Sequence, residues 1–129
     1  MKYSIEEYNQ ELDKAHSITC RGEKIDEIMA PHREKLYQGL EVGDGITIHM
    51  WSDAHAATII RRTKATIWAR QDKAIRTDSN GMSDCQSYRY EPDENGSIYE
   101  CRWSPKRKTF VYLGNSIGVG RHEYYDYSF

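Results

Sequence analysis

Between Gly43 and Asp78 the chain runs through three short β-branched and aromatic segments, and these leave few folds open. The first is Ile46-Thr47-Ile48-His49-Met50-Trp51, the second Ala56-Ala57-Thr58-Ile59-Ile60-Arg61-Arg62 and the third Ala65-Thr66-Ile67-Trp68-Ala69-Arg70. Tight polar connections at Ser52-Asp53-Ala54-His55 and Thr63-Lys64 join them, the pattern of an antiparallel meander. A period of two places Ile46, Ile48 and Met50 on one face and Thr47, His49 and Trp51 on the other. One face is therefore core and the other is available.

On the N-terminal side, Ser4 with Glu7 forms a capping-box pattern, and Ile5, Tyr8, Leu12 and Ala15 share one helical face, predicting a helix over residues 5–15. Ile25, Ile28, Met29, His32, Leu36 and Tyr37 line a second helical stripe with Gly39 as its stop. Pro31 falls inside that stripe, so the helix either kinks there or a new one begins with Pro31 in its first turn. Neither helix can hide its apolar stripe alone. Each must lie on the sheet or against another subunit.

Beyond the meander, Gln71 to Asp84 is rich in Asp, Ser, Asn and Gly, and Asn80-Gly81 is a strong turn signal, so this stretch reads as a long loop and a candidate for function. Gln86–Glu91 and Ser97–Trp103 read as a hairpin around Pro92-Asp93-Glu94-Asn95-Gly96. Thr109–Leu113 is the next strand, and Gly114, Gly118 and Gly120 punctuate the approach to the tyrosine-rich end. The predicted architecture is α+β: two short N-terminal helices on a strongly curved antiparallel sheet or small barrel of six to seven strands. The 129 residues suit one domain over 1–129, with a helical segment at 1–40 and the sheet at 41–129.

Composition narrows the chemistry. A net charge of −2 argues against general nucleic-acid binding, which draws its affinity from phosphate neutralisation. No apolar run is long enough for a membrane span and the first 15 residues carry charges, so a soluble, intracellular chain is expected. Cys20, Cys85 and Cys101 have no zinc-ligand spacing and read as reduced thiols, and His16, His32, His49, His55 and His122 are scattered. No metal, cofactor or catalytic residue is expected: no GxSxG motif or Cys-His constellation is visible, and Gly114-Asn115-Ser116-Ile117-Gly118-Val119-Gly120-Arg121 matches neither a P-loop nor a dinucleotide fingerprint. Ten tyrosines and three tryptophans favour an oligomer.

What remains is a set of arginines beside aromatic residues. Arg76 in the loop, Arg102 next to Trp103, Arg121 after the glycines and Trp51 before its turn combine bidentate phosphate donors with rings that stack on bases. Asp53, Asn80, Tyr90 and Arg33 complete the candidate ligand-binding set, with Tyr37 as a weaker member. The competing reading is an inhibitor or adaptor that binds a host protein through the acidic loop around Asp78–Asp84 and the tyrosine-rich tail.

Three blocks carry a resemblance. Val42-Gly43-Asp44-Gly45-Ile46-Thr47 with Trp51-Ser52-Asp53, then Asp72-Lys73-Ala74-Ile75-Arg76-Thr77-Asp78-Ser79-Asn80-Gly81-Met82-Ser83, and Gly120-Arg121-His122-Glu123-Tyr124-Tyr125-Asp126-Tyr127-Ser128-Phe129 resemble a family of small phage and prophage proteins of Gram-positive gut bacteria. That family includes the first type of Thoeris anti-defence protein. The resemblance implies a non-enzymatic sponge that binds a cyclic ADP-ribose isomer, with some members also holding cyclic oligonucleotides. It further implies a homo-oligomer, a hexamer built from dimers with pockets at subunit interfaces, and makes Arg121 the foremost pocket residue.

Overall fold

The computed structural model describes residues 3–50, 53–79 and 86–123. Among the described residues two helices, α1 (Ile5–Ile18) and α2 (Gly22–Gln38), precede nine strands: β1 (Gly45–Met50), β2 (Asp53–Arg62), β3 (Thr66–Gln71), β4 (Lys73–Arg76), β5 (Tyr88–Glu91), β6 (Ile98–Ser104), β7 (Thr109–Tyr112), β8 (Asn115–Ser116) and β9 (Gly118–Val119). Seven strands form one antiparallel sheet in the order β8-β7-β6-β3-β2-β1-β9, and β4 with β5 forms a separate ribbon. The predicted α+β architecture is the one observed.

β8 and β9 stand at opposite edges of the sheet, yet only Ile117 separates them in sequence. The sheet must therefore curl until its edges nearly meet. Ile117, buried between the two edge strands, donates its amide to the Phe110 carbonyl at 2.9 Å, and Asn115 Nδ2 reaches the His49 carbonyl at 3.2 Å across the gap. Closure of this kind removes the exposed edges that invite aggregation. Ile46, Ile48, Ile59, Ile67, Ala69, Cys101, Phe110 and Leu40 fill the interior. Burial pushes the Cys101 thiol up to about 12, so it stays protonated and inert.

The Ser4 hydroxyl accepts from the Glu7 amide at 3.1 Å, the expected cap. α2 continues through Pro31 instead of restarting there and stops at Gln38 with Gly39 as its C-cap, as expected, while α1 runs three residues past its predicted end at residue 15. Ala15 of α1 and Met29 of α2 are buried. Arg62 fastens the end of α2 to the sheet, donating to the carbonyls of Gln38 and Leu40 and to the Gln38 side chain. No helix among the described residues is long and apolar enough to cross a membrane.

Three expectations are corrected. Gln86–Glu91 and Ser97–Trp103 do not form a hairpin: β5 pairs with β4, while β6 pairs with β3 and β7. Consequently the segment after Gln71 is not all loop, since Lys73–Arg76 is a strand and Arg76 lies on it. Thr47 is also buried on the nominally free face, because the chain returns over it and Thr47 Oγ1 donates to the Gly120 carbonyl at 2.7 Å.

The turn before β6 requires glycine at Gly96. A Cβ there would stand 2.2 Å from the Gln71 carbonyl oxygen, which belongs to the backbone of β3 and cannot swing aside. Gly96→Ala is expected to cost about 2 kcal/mol as overpacking. A lower urea midpoint at unchanged slope is the readout.

Candidate functional site

The chain after β9 crosses back over the sheet and is held by two polar side chains, Arg121 and Glu123. Arg121 Nε donates to Asp72 Oδ2 at 2.9 Å, and its Nη2 donates to Thr58 Oγ1 at 2.9 Å. Thr58 Oγ1 in turn donates to Asp72 Oδ1 at 2.7 Å. Asp72, just past β3, is buried by the turn into β4, and its amide donates to the Ala56 carbonyl. Gly45 makes room for the guanidinium: a Cβ there would sit 2.5 to 2.8 Å from Arg121 Cγ, Nη1 and Cζ. The arginine is thus oriented by a carboxylate, a hydroxyl and a bare glycine. Its Nη1 has no acceptor among the described residues.

Two adjoining hollows share Arg121, Asp72, Thr58 and Pro92. One, of roughly 280 Å³, adds Tyr90 and Glu91; the other, of roughly 210 Å³, adds Ile60, Arg70, Asp93 and Glu94. Arg70 is the residue that sequence reasoning missed, and its Nε is buried with no hydrogen-bond partner among the described residues. An orphaned buried donor of this type carries a cost unless something outside the described residues accepts from it. The cleft therefore offers guanidinium donors from Arg121, which is exposed, and from Arg70, whose Nε is buried. It also offers carboxylates, Glu91 and Glu94 both lying open to solvent.

Glu123 latches the segment further on. His55 Nδ1 donates to Glu123 Oε2 at 2.8 Å and the Ala56 amide donates to Glu123 Oε1 at 3.0 Å. A backbone hydrogen bond also links Glu123 to Tyr90, whose pKa is raised mainly by burial. The hydrogen bond to Glu123 raises the pKa of His55 against the opposing effect of burial, with Asp53 adding to the rise. Such a bridge stabilises fully below His55's unfolded value of about 6.5 and fades as pH climbs through the higher folded value. His49 has the opposite sign: burial and His122 lower its pKa, so its contribution is lost as pH falls. The stability difference between wild type and His55→Gln isolates the first effect and is expected to shrink from about pH 5.5 to about pH 8. A difference that stays flat across that range would refute the latch.

Of the sequence-predicted residues, the cleft brings together Arg121 and Tyr90. Arg76 is held by Asp78 through two hydrogen bonds of 2.7 and 2.8 Å and stands over the Tyr88 ring. Asp53 opens β2 opposite Met50, near His55. Arg102 is exposed beside Glu100 at 3.5 Å. Trp103 packs edge-to-face on Phe110 at 5.1 Å, so its ring serves the core and not the cleft. Arg33 lines a different cavity with Tyr37. Trp51 and Asn80 lie outside the described residues. His49 stands opposite Ala54 and His55 opposite Ile48, so the two imidazoles do not face each other across the hairpin.

Among the described residues no group of His, Cys, Asp and Glu side chains has the clustering to hold a metal ion. No protein-family model, curated protein or solved structure matches the chain.

Proposed function

We propose that this chain is a non-catalytic binding protein that captures a cyclic nucleotide signal of the cyclic ADP-ribose-isomer class and holds it intact, away from the immune effector it would activate. The observation that carries the reading is that Arg121 and Arg70 line one hollow and that Arg121 also lines the adjoining one, which holds Tyr90. Two guanidinium groups match the two charges of a diphosphate. Tyr90 supplies a ring for the base, and Glu91, Asp93 and Glu94 supply acceptors for ribose hydroxyls or an exocyclic amine. Asp72 orients Arg121 in advance, which lowers the entropy cost of capture. In this reading the protein acts in the host cytoplasm as a homo-oligomer, a dimer-based hexamer whose interfaces complete the cleft.

Incubation with cyclic ADP-ribose isomers, desalting and heat denaturation should release unaltered ligand, identified by mass spectrometry. Release of a hydrolysed product would make the protein an enzyme, and no retained ligand would remove this class of signal. The competing reading, direct binding of a host protein, draws on β5, whose outer edge pairs with no further strand among the described residues. A stoichiometric host partner recovered without small-molecule retention would favour it.

A further inference from the structure

A second cavity, of roughly 470 Å³, lies between α2 and the strands β7 and β8, and shares no lining residue with the Arg121 cleft. Asp26, Arg33, Tyr37, Lys106, Arg107, Thr109 and Ser116 line it. Three side chains are cationic and one is anionic, in a chain whose net charge is −2. That local excess of positive charge is the reverse of the molecule as a whole.

Its hydrogen-bonding inventory is equally one-sided. Arg33 Nε donates to the Arg107 carbonyl at 2.7 Å and its Nη2 to Asp26 at 2.9 Å, which fixes the guanidinium while leaving Nη1 without an acceptor among the described residues. Arg107 Nη1 donates to the Gly114 carbonyl at 2.6 Å, leaving its Nη2 and Nε. The Lys106 ammonium has no ion pair among the described residues, whereas neighbouring Lys108 reaches Glu34 at 3.9 Å. Thr109 donates to the Ser116 hydroxyl at 3.0 Å, so the Ser116 proton is directed elsewhere. Tyr37 donates to the Ile117 carbonyl at 2.7 Å, and burial keeps it neutral with a pKa raised to about 12. Most of the spare groups are donors, and the one carboxylate of the lining, Asp26, is already engaged by Arg33 through Oδ1.

We infer that this cavity binds the phosphate group of a small molecule, with Arg33, Lys106, Arg107 and Ser116 as its donors. A terminal phosphate suits it better than a bridging one: it carries nearly two charges and three free oxygens, enough to engage several converging donors. The site is independent of the proposed function. It rests on other residues and other elements.

Titration of the full-length chain with inorganic phosphate and with AMP, followed by calorimetry at low salt, tests the inference. Saturable binding is expected, weakened at least about tenfold in Lys106→Ala/Arg107→Ala and changed by less than about twofold in Lys64→Ala, an exposed cation that lines neither cavity. Tighter binding of AMP would mark a phosphomonoester as the ligand, and equal binding the free ion; both support the site. Lys106→Ala alone touches no described hydrogen bond, so it keeps the test decisive if the double variant fails to fold, with a loss of about threefold expected. Absence of saturable binding, or wild-type binding by the folded double variant, would overturn the inference.

Discussion

Phe110→Ala is expected to destabilise the protein by about 3 to 5 kcal/mol, the range for deleting a fully buried aromatic side chain. Phe110 is 0% exposed, on β7, where it packs edge-to-face against Trp103. The Arg62 guanidinium lies over the same ring, 5.4 Å from its centre. Because Arg62 also holds the carbonyls of Gln38, the last residue of α2, and of Leu40 just beyond it, the ring supports the joint between helix and barrel as well as the core. Its backbone carbonyl accepts from Ile117, so a collapse around the missing ring would be felt where the sheet edges meet. For a chain of this length the loss corresponds to a fall in melting temperature of roughly 10 °C or more. Phe110→Leu keeps most of the volume and is expected to lose less. Should Phe110→Ala cost less than about 1 kcal/mol, the described core does not carry the fold.

The barrel was legible because local and tertiary preferences agree in residues 45–70. Ile46, Ile48, Ile59 and Ile67 are at once β-formers and the buried face. The helices were legible for the same reason, through Ser4 and the stripe ending at Leu36 and Tyr37. β4 was not, because Lys73-Ala74-Ile75-Arg76 is short and flanked by Asp72 and Asp78, which read as turn residues. Both carboxylates are instead arginine partners, Asp72 to Arg121 and Asp78 to Arg76. The false hairpin has the same origin: Asn95-Gly96 is a local turn signal, while strand pairing is settled by which neighbour buries more surface. Arg121 stands out in the sequence because glycines precede it, whereas Arg70 ends an ordinary strand run and only the fold shows its Nε buried. Trp103 misled because an arginine beside a tryptophan looks the same in sequence whether the ring faces a ligand or Phe110.

Arg121→Ala is expected to weaken retention of a cyclic ADP-ribose isomer by about a hundredfold or more, equivalent to roughly 3 kcal/mol of charge-assisted contact. The side chain is 36% exposed while Asp72 is 5% exposed, so the arginine contributes chiefly as a ligand donor and modestly to stability, at most about 1 kcal/mol through its own ion pair. Removing it still leaves Asp72 as a buried carboxylate with Thr58 for company. Arg121→Ala/Asp72→Asn removes that orphaned charge, and is expected to regain any lost stability without regaining retention. Gly45→Ala offers an independent route to the same result, since its methyl group would occupy the place of the guanidinium and push it off Asp72. Arg121→Lys keeps the charge but not the fork, and intermediate retention is expected. Equilibrium binding measured alongside unfolding separates these effects. If Arg121→Ala and Gly45→Ala both hold ligand within about threefold of wild type, the capture site lies elsewhere on the molecule and the cleft is structural.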